Sequence, residues 1–148
     1  MEPTPVAASS EPGPLALVLI VLAFPIVFAA LWSLVCLLLG QLGGWSGLAR
    51  RFATEQEQPG GADAPMGAML GLVSYRGGTL QVGFAPDGLD LRVMVFFRPG
   101  HPPLRIPWDQ VTVEGESKAF WVSWVRLRLG GGPTLRIPAD LWARSGRG

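Results

Sequence analysis

At 148 residues, with 49% apolar and 16% charged side chains, the chain is too apolar to be disordered and too short for more than one or two domains. Twelve Lys and Arg against eleven Asp and Glu leave a formal net charge of +1, which excludes the strongly basic balance of a nucleic-acid binder. One Cys and one His exclude a disulfide framework and a zinc site built from Cys and His.

Residues 1–14 read MEPTPVAASSEPGP, an acidic leader rich in Pro and small residues and expected to be disordered. A charge-free run of 25 residues follows, Leu15–Leu39, bounded by Pro14 and Gly40. At 1.5 Å per residue such a helix is roughly 37 Å long, enough to cross a hydrocarbon core of about 30 Å. The leader carries no Lys or Arg and the run is too long for a signal peptide, so residues 15–40 read as a transmembrane helix. All twelve basic residues and nine of the eleven acids follow it, beginning with Arg50 and Arg51. The positive-inside rule then places the N-terminus outside and the C-terminal domain in the cytoplasm. The lone thiol, Cys36, falls inside the apolar run, so the rest of the chain can form no disulfide, which suits a reducing compartment. Within the run Pro25 predicts a kink, and Ala29 with Ser33 forms one small-xxx-small pair at which two helices could approach.

Residues 41–53 predict an interfacial amphipathic segment, or equally a run-on of the transmembrane helix with Arg50 and Arg51 as its stop signal; both readings place the two Arg at the cytoplasmic surface. Trp45, Leu48, Ala49 and Phe52 recur at helical spacing as one apolar stripe, flanked by Arg50 and Arg51. Such a helix suits the headgroup layer, with the Trp ring at the interface and the cations near phosphates. Trp45, Arg50, Arg51 and Phe52 are therefore the expected membrane-anchoring residues. Residues 54–65, TEQEQPGGADAP, hold no large apolar side chain and read as a flexible linker.

Residues 66–148 predict a small antiparallel β domain, all-β as a roll or partly closed barrel of six or seven strands. Thr79–Phe84 alternates, the turn Ala85–Gly88 reverses the chain, and Gly88–Arg98 reads as one long strand with Leu89, Leu91, Val93, Val95 and Phe97 inward. After the turn Arg98–Pro103, further strands are expected at Leu104–Ile106, Val111–Glu114, Ala119–Leu129 and Thr134–Ile137, then a short helix over Pro138–Arg144. Leu104-Arg105-Ile106-Pro107 recurs thirty-one residues later as Leu135-Arg136-Ile137-Pro138, each copy a strand with Leu and Ile inward and Arg outward.

The stretch Gly88–Val111, GLDLRVMVFFRPGHPPLRIPWDQV, resembles the FRxGHPPLxIPW-like signature of a family of small bacterial membrane proteins with one N-terminal span. That resemblance implies family membership and the same single-pass layout, and no chemistry. The IPW-x-x-V segment with its following hairpin is more distantly similar to bacterial pleckstrin-homology-like and GRAM-like domains, which implies a bent sheet closed by a C-terminal helix.

Chemistry-bearing residues are scattered. His101 stands between Gly100 and Pro102, where it is expected to fix the turn through a backbone hydrogen bond. Asp109 and Asp140 read as caps, and Gly130–Gly132 as a turn. No nucleophile elbow and no phosphate-cradling loop opens a helix, so no catalytic, cofactor or metal residue is expected and the chain reads as no enzyme. Arg126 and Arg128 share a strand face with Trp124, a combination that suits anionic lipid headgroups or an acidic segment of a membrane protein partner. The expected partners are the lipid bilayer, such headgroups or such a protein, and a second copy of the chain as a homo-oligomer, with no nucleic acid. The function that follows is a membrane-tethered, non-enzymatic interaction module. The alternative is an accessory subunit of a larger membrane complex, acting through its transmembrane helix at Pro25, Ala29 and Ser33.

Overall fold

The computed structural model describes residues 11–55 and 62–147. Ten of the fourteen leader positions and the middle of the expected linker, 56–61, lie outside the described residues. Internal contacts divide the chain after Trp32.

The first unit is the N-terminal part of helix α1, Pro14–Leu42. No acid or base interrupts it, Pro25 is accommodated inside it, and its apolar side chains face outward. Phe24, Phe28 and Trp32, one turn apart, stack with ring centroids 6.1 and 6.2 Å apart. It is the one helix among the described residues long and apolar enough to cross a membrane, with a mean hydropathy of 2.8.

The second unit, from Ser33 on, holds the last turns of α1, helix α2 (Trp45–Phe52) and an antiparallel β domain of two sheets. The five-stranded sheet has the order β2-β1-β8-β7-β6, from β1 (Gly67–Leu70), β2 (Val73–Arg76), β6 (Val111–Ala119), β7 (Val122–Leu129) and β8 (Thr134–Pro138). The three-stranded sheet is the meander β3 (Leu80–Phe84), β4 (Gly88–Val93) and β5 (Leu104–Pro107). The sheets are not closed into a barrel. Strand alternation sends Ala68, Leu70, Val125, Leu127, Leu129, Leu135 and Ile137 from one sheet, and Leu80, Val82, Leu89, Leu91, Leu104 and Ile106 from the other, into one buried cluster. Helix α3 (Ala139–Ala143) adds Leu141 and Trp142 to it, and both LRIP copies place their Leu and Ile there.

Three strand expectations need correction. The hairpin β1–β2, joined by Gly71 and Leu72 with Gly71 at φ 55°, was not foreseen as two strands. The strand expected over Gly88–Arg98 ends at Val93: Met94 donates to Thr79 O, and Val95–Phe97 coil into a 3-10 turn that leaves Val95 exposed. The strand expected over Ala119–Leu129 contains a hairpin turn, since Ala119 pairs with Val122 and the chain reverses at Phe120 and Trp121. The described ends of the expected linker are tied to the small sheet: Thr54 donates to Pro103 O at 2.9 Å, next to a bridge from the preceding residue. Ala53 bridges Leu104 on β5, and Asp63 bridges Val82 on β3, so each outer edge of the small sheet carries one bridge.

Two features lock α1 and α2 to the sheets. Gly40 approaches the turn so closely that a Cβ there would lie 3.0 Å from Gly100 O. Trp45 Nε1 donates to Pro102 O at 3.0 Å, and its ring lies 5.1 Å from His101 and 6.3 Å from Tyr75.

Candidate interaction surface

Each membrane-anchoring residue expected on α2 has a definite place. Trp45 is fully buried, Leu48 is buried and Phe52 packs on the core, so the apolar stripe of α2 faces the β domain. A stripe at helical spacing has the same pattern whether it covers lipid or protein, which is why sequence alone pointed to the headgroup layer. Arg51 is held by the domain as well: Nη1 donates to Gly130 O at 2.6 Å and Nη2 to Gln110 Oε1 at 3.2 Å, with the guanidinium 4.7 Å from the Phe52 ring. Arg50 is exposed.

Behind Trp45 lies the buried pair Tyr75 and His101. His101 Nδ1 donates to Pro99 O at 3.1 Å, which leaves Nε2 to accept from Tyr75 Oη at 3.4 Å. Burial lowers the His101 pKa against backbone hydrogen bonds at Pro99 and Phe97 that raise it, and burial pushes the Tyr75 phenol up to about 12. The histidine thus fixes its turn, as read from the sequence. A cavity of about 250 Å³ beside the pair is lined by Cys36, Leu39, Val73 and Phe97 as well. Among the described residues no three His, Cys, Asp or Glu converge as a metal site.

A second buried polar group was missed. Asp90, on the strand face opposite the inward Leu89 and Leu91, is 1% exposed on the central strand of the small sheet and lies directly across from Arg105 on β5. Arg105 donates from Nε to Asp90 Oδ1 at 2.8 Å and from Nη2 to Oδ2 at 2.9 Å, a two-pronged ion pair. The first LRIP copy therefore does not present its Arg to water as the second one does. The expected caps are absent too: neither the 3-10 turn holding Asp109 nor α3 holding Asp140 has a side-chain cap.

The outward face of β7 and β8 carries the remaining predicted residues. Trp124, Arg126 and Arg128 alternate with buried Val125, Leu127 and Leu129. Arg128 is already engaged: Nε donates to Glu114 Oε1 at 2.5 Å and Nη1 to Gly132 O at 3.2 Å. Its hydrogen bond holds the Glu114 carboxyl below the usual range, with a further one from Thr134 Oγ1. Arg126 differs. It stands directly across from Arg136 on β8, its Nε has no partner among the described residues, and its neighbour on β6 is Gly115 at a bulge. Two like charges face to face destabilise a sheet; the nearby Glu114 carboxylate, held low mainly by Arg128, also interacts with the Arg126 charge and offsets part of that repulsion.

Next to this pair the β6–β7 hairpin runs past its neighbour. Pairing of β7 with β8 stops at Trp124–Pro138, so Val122 and Ser123 have no β8 partner. At the tip Phe120 and Trp121 are 94% and 93% exposed, and Phe120 has φ 55°, a left-handed conformation that Gly usually supplies at this turn position. On one side of the hairpin a cleft of about 540 Å³ is lined by Phe120, Trp124, Arg136, Arg76, Met69 and Ser74 among others. Sequence reasoning had the Trp and Arg of this surface. It lacked the tip, because Phe, Trp and Val read as strand interior.

Comparisons with protein-family models, curated proteins and solved structures find no match.

Proposed function

We propose that this chain is a membrane-tethered, non-enzymatic interaction module that grips a protein segment combining acidic and apolar side chains. The observation that carries the reading is the hairpin tip. Phe120 and Trp121 expose nearly their whole rings, Phe120 is held in a strained backbone conformation, and Phe120 shares one cleft with Trp124 and with Arg136, which faces Arg126 further along the sheet. Aromatic rings and Arg are the side chains that dominate interface energetics, and a carboxylate between Arg126 and Arg136 would relieve their repulsion. The tether is α1, and Arg50 and Arg51 after it favour a cytoplasmic domain with the leader outside.

The test is affinity capture from mild detergent with the full chain and with the variant Phe120→Ser, Trp121→Ser. Both side chains are exposed, so the variant keeps its core. A protein that co-purifies with the native chain and is lost with the variant supports the reading. Retention of the same proteins by the variant refutes it. If those proteins are instead lost on substituting Ala29 and Ser33, the working part is the transmembrane helix.

A further inference from the structure

We infer that the Met94–Phe97 turn is a second membrane contact, seated in the headgroup layer beside the point where α1 leaves the bilayer. The inference rests on reading α1 as a membrane span.

The local geometry places an apolar turn where a soluble domain would place polar residues. The run Val93-Met94-Val95-Phe96-Phe97 begins on β4, yet the ladder ends at Val93 and the next residues coil, with Phe97 and Arg98 donating to Met94 O and Val95 O. Phe97 turns inward onto the core, while Val95 is 66% and Phe96 74% exposed. The following turn clamps this segment to the helix. His101 donates to Arg98 O at 2.8 Å, and Gly100 lies so close to α1 that a Cβ would sit 2.8 Å from Leu37 Cδ2 and 3.1 Å from Leu37 Cα. Phe97 and His101 line one cavity with Cys36 and Leu39. The exposed turn is thus held at the level of residues 36–39 of α1.

That level is set by the helix itself. A hydrocarbon core of about 30 Å takes roughly 20 residues, which from Leu15 ends near Leu34. Val35–Leu39 is then the surplus that crosses the headgroup layer, about 5–7 Å thick on each side. Phe and Val in that layer remove apolar surface from water, and exposed Arg98 on the next residue meets the phosphates. What covers the patch is the same bilayer that covers exposed Leu38 and the free side of Leu37, half-exposed on the adjoining helix.

The experiment uses the full chain in liposomes, with Cys36→Ala as background and a nitroxide on one introduced cysteine at a time: Leu22→Cys in mid-span, Val95→Cys, Phe96→Cys and Trp121→Cys. All four positions are exposed, so labelling removes no core packing. Collision with dissolved oxygen over collision with an aqueous nickel chelate reports depth. The expected ratio is highest at 22, several-fold lower at 95 and 96, and several-fold lower again at 121. If 22 lies in lipid while 95 and 96 match 121, the inference falls and the span stands. If 22 is itself accessible to nickel, the span reading falls and takes this inference with it.

Discussion

Arg105→Met is the most demanding perturbation of the fold. It removes the group that hydrogen-bonds both oxygens of Asp90 and leaves a carboxylate that is 1% exposed on the central strand of the small sheet. Breaking a buried pair by deleting one partner costs about 3–5 kcal/mol, because the remaining charge stays desolvated. Against a typical total of about 5–15 kcal/mol this is a large share of the stability, and for a domain of this size it lowers Tm on the order of 15 °C or more. Asp90→Asn should cost less. Arg105 is 13% exposed on its side chain and has Asp87 at 3.9 Å as a second acid. Replacing both residues by Leu should recover much of the loss, since an apolar pair leaves no unpaired charge. Urea unfolding of the detergent-solubilised chain, followed by Trp fluorescence, measures all three. A cost below about 1 kcal/mol for Arg105→Met, the value of a surface pair, would refute the buried-pair reasoning.

Further expectations concern single positions. Phe120→Gly relieves a left-handed conformation that costs a residue with a side chain about 1–2 kcal/mol, so it should raise thermal stability while weakening partner capture. Gly100→Ala, at φ 73° and against Leu37, should lose at least that much and should speed alkylation of buried Cys36 by a thiol reagent in detergent. His101 is held neutral, so the unfolded chain binds its proton more readily and the histidine's contribution is fully present above pH of about 6.5. Stability should fall as pH drops below that value, and His101→Gln should flatten the Tm profile between pH of about 5 and 7.

How far the residues announced this structure varies with the physics behind each part. The long apolar helix was legible because 25 residues without a charge, a pattern suited to hydrocarbon, leave few alternatives. The β class was legible through alternation at Thr79–Phe84 and Trp124–Leu129. Two turns escaped for opposite reasons. Gly71-Leu72 carries a proper hairpin signal, but its flanking strands have only four residues each. Phe120-Trp121 carries no turn residue at all, and the chain reverses there with Phe120 in a left-handed conformation. Asp90 looked solvated since alternation reports which side a residue faces, and a cross-strand Arg can bury that side too. The stripe on α2 was read correctly as a stripe, but its partner is the domain core rather than lipid.

The central claim is that Phe120 and Trp121 meet a protein partner of the tethered domain, and a photo-crosslinking residue in place of Trp121 tests it most directly. Irradiated intact cells should yield one discrete protein adduct of the full chain, and changing Arg126 and Arg136 to Glu should abolish it. Crosslinks to lipid alone, or a protein adduct indifferent to those charges, would contradict the account.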